Sequence, residues 1–130
     1  MIADTNILLR AIVGDDPKQS RLAEAELAKA DAVVIPIPVF CELVWVLLQT
    51  YKMPTSEVAA AVRGLLDSAK VLTNRPAAEA GYSLLEGGGD FADGAIAYEG
   101  KELGGDTFVS FDKDAVKLLS RHGFSARVPT

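Results

Sequence analysis

Histidine and cysteine are nearly missing from this chain, with one of each in 130 residues. The single histidine, His122, falls in the last turn of an expected helix that Gly123 closes, where a cation suits the helix dipole. With that residue so placed and no second histidine, neither a Ser-His-Asp nor a Cys-His machinery is expected. The single cysteine, Cys41, excludes an internal disulfide and suits a reducing compartment. Its apolar surroundings make it a core residue rather than a nucleophile. Long hydrophobic runs are absent as well: the longest uncharged stretch, residues 32–41, holds two prolines and stops at Glu42. That is well short of the roughly 20 residues a membrane helix needs. No signal-peptide pattern opens the sequence, so a cytoplasmic protein without a membrane span is expected.

Basic charge is not in excess either. Thirteen Lys and Arg stand against eighteen Asp and Glu, for a net charge of −5. This argues against a nucleic-acid binder of the basic-patch kind. The thirteen basic groups can still form a local groove for phosphates if several acids are taken up by a metal site. No phosphate-cradling loop is present: Gly87-Gly88-Gly89 lacks the lysine of a P-loop, and no GxGxxG follows a strand. Repeats, linkers and low-complexity segments are lacking, too.

What the chain does contain is a balanced composition, 49% hydrophobic and 24% charged. That is the balance of one globular domain over residues 1–130, long enough to bury a core. Met1-Ile2-Ala3 reads as the end of a strand, and Asp4 opens a helix with apolar positions at Ile7, Leu8, Leu9, Ala11 and Ile12. Asp16-Pro17 starts a second helix, to about residue 30, with Leu22, Ala25 and Leu27 expected toward the core. Residues 33–37 form an apolar, β-branched strand, and a helix follows over 38–51. Further helices are expected to residue 67, over 75–85, over 90–103 and over 114–121. Strands are expected at 70–73, 107–110 and 126–128. Strands alternating with helices predict an α/β fold with a mainly parallel sheet and helices on both faces.

Four groups of acids stand out. Asp4, at the C-terminal end of a strand, sits where α/β folds place ligands, although an Asp before a helix is also a common N-cap. Glu42 is the only charge between Asp31 and Lys52. Its helix is apolar on every side, which predicts burial on more than one face and a need for a partner or a metal. Asp90 and Asp93, three residues apart at a helix start, share one side of it, and the pair also fits a variant capping box. Asp112 and Asp114 follow the fourth strand, and only one is needed to cap the last helix.

Carboxylates gathered from separate segments repel, at roughly 1 kcal/mol per pair in water and about 4 kcal/mol at an effective dielectric of 20. A divalent cation removes that cost. All-oxygen ligands favour Mg²⁺ or Mn²⁺, whose natural chemistry beside phosphate oxygens is hydrolysis of a phosphodiester.

The motifs Asp4-Thr5-Asn6-Ile7-Leu8-Leu9-Arg10, Gly14-Asp15-Asp16-Pro17, Glu42 in its apolar helix, Asp90-Phe91-Ala92-Asp93-Gly94-Ala95-Ile96-Ala97 and Ser110-Phe111-Asp112-Lys113-Asp114 together resemble the PIN-domain ribonucleases. The VapC-type toxins of toxin–antitoxin pairs are the most similar branch. The resemblance implies a five-stranded parallel sheet of order 3-2-1-4-5 and Mg²⁺- or Mn²⁺-dependent cleavage of RNA. It maps Asp4, Glu42, Asp93 and Asp112 onto an acidic, metal-binding quartet. Thr5 and Asn6 fall on the support for the first acid; Asp90 competes with Asp93, and Asp114 with Asp112, for the later two positions, with Asp93 and Asp112 preferred and Asp90 and Asp114 in support. It further implies a homodimer and a cognate antitoxin protein, for which the apolar helix around Trp45 offers a surface. This chain departs from the family in having a short first strand and Gly94 where Ala is commoner, a change that weakens a helix by roughly 1 kcal/mol. Two other readings stand beside it: another metal-dependent phosphoesterase, and a catalytically silent acidic module that binds an Arg-rich peptide.

Overall fold

The computed structural model describes residues 1–130, which fold as two compact units, Met1–Asn74 and Arg75–Thr130. In the first unit, the extended residues Met1–Ala3 pair through Ile2 with Val34, and Ala3 N donates to Val34 O at 2.9 Å. Asp4 then breaks into α1 (Thr5–Val13), which Gly14 closes in the left-handed conformation. In α2 (Pro17–Lys29), Asp16 accepts from Gln19 N at 3.0 Å, and Pro17 stands in the first turn, where its missing N–H costs nothing. β1 (Val33–Val34), α3 (Ile37–Gln49), α4 (Thr55–Asp67) and β2 (Val71–Leu72) complete the unit. β1 and β2 run parallel with Val33 opposite Val71. The buried core includes Leu8, Leu9, Ile35, Phe40, Leu43, Leu47, Val58, Val62 and Leu66.

α2 presents only part of its expected face to the core, with Leu27 half-buried. Leu22 is 59% exposed and Ala25 is exposed, while Ser20 and Ala23 are buried. The cause is a polar anchor: Ser20 Oγ donates to Arg10 O at 2.7 Å, so the small side chains face α1 and the leucine turns outward. Arg10 itself reaches Asp15 at 3.0 Å and Gln19 at 2.8 Å, and Tyr51 donates to the same Asp15 carboxylate. The other end of α2 is held by Lys70, whose ammonium donates to the carbonyls of Leu27 and Ala28. A cation there satisfies the carbonyls that a helix C-terminus leaves free.

The second unit holds α5 (Arg75–Glu86), α6 (Phe91–Glu102), β3 (Phe108–Val109), α7 (Lys113–Arg121) and β4 (Ala126–Arg127). β3 and β4 are parallel, with Phe108 opposite Ala126. Leu84, Ala97 and Leu119 form a core onto which Phe108, Leu118, Phe124 and Ala126 pack. The expected five-stranded sheet is not formed. The ladders are two two-stranded sheets, β1-β2 and β3-β4, with the single bridge at Ile2. Pro36, Asn74 and Asp112 each lie within three residues of a strand's end and adjoin the next helix start, which bounds β1, β2 and β3 on that side. Within each sheet, the neighbours are those that the expected order placed side by side.

α5 and α6 meet at their backbones. A Cβ on Gly94 would overlap Ala80 O and lie 2.8 Å from Ala80 C; one on Gly81 would lie 2.8 Å from the Phe91 ring. Gly94 is therefore a packing requirement and not merely a weak point of the helix. No rotamer change relieves a Cβ against a carbonyl. Gly94→Ala is expected to destabilise the protein by about 3 kcal/mol, the upper range for overpacking, despite alanine's better helix propensity. Thermal or urea unfolding checks this; an unchanged or raised midpoint would contradict the packing.

Candidate functional site

Asp4 occupies the N-cap position of α1 with extended dihedrals (φ −76°, ψ 154°), yet its side chain makes no capping bond. The carboxylate is exposed at the positive end of a nine-residue helix, where negative charge is favoured. Thr5, the next residue, is buried and Asn6 is exposed, and neither side chain bonds the Asp4 carboxylate. Capping thus does not account for this acid.

Glu42 is not where the apolar helix predicted it. Pro38, Glu42, Trp45 and Gln49, at spacings of four, three and four, form one exposed face of α3. Phe40, Leu43, Val44 and Leu47 are buried on the other. Trp45 lies on the solvent side at 61% exposure, which made the helix read as apolar all round. Glu42 is therefore solvated and needs no buried counter-charge. Cys41, beside it, is half-buried.

In the second unit, Asp90 and Asp112 lie near enough to Asp93 for their charges to act on it. Asp90 caps α6, accepting from Ala92 N at 3.0 Å. Asp112 caps α7, accepting from Ala115 N at 3.0 Å, and its own N–H donates to Ser110 Oγ at 3.0 Å. Asp93, in the first turn of α6, is half-buried and makes no hydrogen bond. Burial pushes its carboxyl above the usual carboxylate range, and the charges of Asp90 and then Asp112 push it further. Asp114 is exposed in the first turn of α7. Of the competing pairs, Asp90 and Asp112 are thus the caps, and Asp93 is the acid whose charge nothing on the protein offsets. His122 stands at the end of α7 with Nδ1 2.9 Å from Leu118 O, the expected structural role. Phe111, between Ser110 and Asp112, is 81% exposed. Composition and periodicity do not single it out; its exposure does.

A family model described as the PIN domain matches residues 1–120. The chain belongs to the PIN-domain family. No curated protein and no solved structure matches it. PIN domains are typically metal-dependent nucleases, so the chain is placed among the nucleic-acid hydrolases. No helix of this PIN domain is long and apolar enough to cross a membrane.

The family implies a divalent cation, and the chemistry of the side chains fits one. Asp93 carries an uncompensated charge beside two further carboxylates, all of them hard oxygen donors. No group of three or more acidic, histidine or cysteine side chains is gathered tightly enough to hold a metal by itself. Mg²⁺ does not require such a cage, because it keeps several waters and takes one or two carboxylates with phosphate oxygens completing its shell.

Proposed function

We propose that this PIN domain is an endoribonuclease dependent on Mg²⁺, with Mn²⁺ as the alternative ion, and that it acts as the toxin of a toxin–antitoxin pair. The observation that carries the reading is Asp93: a half-buried carboxylate with no hydrogen bond, held at raised pKa by burial, Asp90 and Asp112. Such a group lowers the free energy of the protein when a cation arrives.

In this reading, Asp93 and Asp112 hold the ion in the second unit, and Asp90 fixes the start of α6. The sequence resemblance adds Asp4 and Glu42, both exposed, to the carboxylates proposed for the activity. When bound, the cation lowers the pKa of a water for attack on phosphorus and stabilises the leaving oxygen. The protein's share is orientation. The cap bonds from Ala92 N and Ala115 N fix the Asp90 and Asp112 carboxylates before RNA arrives, so less is lost in ordering them. Lys113 and Lys117, four residues apart and exposed on one side of α7, are available to phosphates.

The toxin assignment rests on the sequence resemblance, and the exposed Trp45 supports a protein partner, either a second copy or an antitoxin. The test is cleavage of defined RNAs by the purified chain in Mg²⁺, Mn²⁺ or EDTA, with a generic phosphomonoester as control. RNA cleavage that needs the cation, without phosphomonoester hydrolysis, is expected. Cation-independent cleavage, or none under any condition, would overturn the assignment; phosphomonoester turnover alone would favour the phosphoesterase alternative.

A further inference from the structure

Phe111 is out of place for a phenylalanine. Of the five in the chain, Phe40 and Phe91 are fully buried, Phe108 and Phe124 are half-buried, and Phe111 alone is exposed. The exposure does not arise from a slack loop. Ser110 N donates to Arg127 O at 3.2 Å, tying one neighbour to the partner strand. On the other side, Asp112 N donates to Ser110 Oγ, and Asp112 caps α7 through Ala115 N. Both flanking residues are pinned, so the backbone holds the ring out into water and forgoes the burial a phenyl ring ordinarily gains.

Its position within the second unit gives the ring a use. It adjoins Asp112, one of the two carboxylates that act on Asp93, and two residues later the exposed Lys113 begins α7 with Lys117 one turn on. An exposed aromatic residue is thus followed in the chain by an acid suited to a cation, Asp112, and by two exposed lysines suited to phosphates. Consecutive Cα atoms are about 3.8 Å apart, so Phe111 and Asp112 leave the backbone side by side. Single-stranded nucleic acid is gripped by that combination, with bases stacking on aromatic faces and cations meeting the backbone.

We propose that Phe111 is a base-stacking platform that positions the nucleotide next to the scissile phosphate. This rests on the ribonuclease reading above. A phenyl face offers no hydrogen bonds, so the platform positions a base with little preference among the four.

The test compares KM and kcat for a short single-stranded RNA in Mg²⁺ among wild type, Phe111→Tyr and Phe111→Ala. The same RNA is then used with one abasic position moved stepwise across the cleavage site. Phe111→Ala is expected to raise KM about tenfold, within the range for one lost base stack, and Phe111→Tyr to restore it. One abasic position should cost the wild type a similar factor and Phe111→Ala almost nothing, a coupling that a merely structural residue would not show. An unchanged KM would overturn the platform, and so would an abasic penalty equal in both proteins. If Phe111→Ala instead altered the oligomeric state, the ring would be a protein contact and the platform would again be wrong. RNA cleavage by the wild type with any of these three results defeats the platform alone. Absence of wild-type cleavage defeats the ribonuclease reading and the platform with it.

Discussion

Replacing Asp93 by Asn is expected to remove RNA cleavage while making the metal-free protein slightly more stable. The two effects share one cause. At neutral pH the ionised Asp93 is half-buried and repelled by Asp90 and Asp112, so its folded-state pKa is raised. For an acid, a raised pKa means that ionisation costs folding free energy above the folded pKa. As pH falls between the raised folded value and the ordinary unfolded one, the folded state takes up a proton first and the cost disappears. The amide introduced by Asp93→Asn carries no charge at any pH. The expected gain is about 0.5 kcal/mol after discounting for solvent screening, or about 1–2 °C in Tm. Cleavage should meanwhile fall roughly a thousandfold, equivalent to about 4 kcal/mol of barrier. Melting curves from pH 4 to 8 check the first part, because the variant's advantage should shrink in acid. The same electrostatics make cation affinity fall with pH, beginning at a higher pH than an ordinary aspartate would. A variant that melts lower than wild type at neutral pH would mean that Asp93 serves the fold.

Asp4→Asn is expected to abolish cleavage to a comparable degree with almost no change in stability. Asp4 stands at an N-cap position but makes no capping bond, so amidation removes no hydrogen bond from α1. Surface changes of that kind usually stay within about 0.5 kcal/mol. Asp112→Ala is the natural contrast. It removes the bond from Ala115 N and should cost about 1 kcal/mol as a lost cap, besides its effect on activity. If Asp4→Asn cleaved RNA normally, or if it lowered the midpoint as a lost cap would, the role given to this carboxylate would fail.

Where a residue's local chemistry decides its structure, the sequence is a sufficient guide. The caps at Asp16 and Asp90 and the proline at the start of α2 are legible because each acts within one turn, whereas the sequence leaves Asp112 and Asp114 both able to cap α7. The seven helices lie within a few residues of their expected spans for the same reason. Orientation is less legible. α2 is rotated from its expected face where a serine hydroxyl bonds Arg10 O, ten residues away, and Leu22 and Ala25 are left exposed. On α3 an exposed tryptophan imitates a core residue, and Glu42 consequently reads as buried.

Gly94 shows a third limit. Helix propensity marks it as a flaw, whereas a carbonyl on another helix makes it necessary. In the candidate site, the acids could be picked out by type and position, but their division of labour could not. Asp90 and Asp93 share one side of the helix start, and only the structure shows that Asp90 is taken up by its cap while Asp93 stays unbonded. Phe111 needed a solvent exposure, which no periodicity supplies for a residue in a link between a strand and a helix.

The most direct measurement is Mn²⁺ binding to wild type, Asp93→Asn and Phe111→Ala, followed by loss of the free-ion paramagnetic resonance signal at pH 5 and pH 8. Expected is saturable binding to the wild type that is stronger at pH 8, near-complete loss in Asp93→Asn, and no change in Phe111→Ala. Equal binding by wild type and Asp93→Asn, or no saturable binding by the wild type at either pH, would contradict the claim that this carboxylate holds the ion.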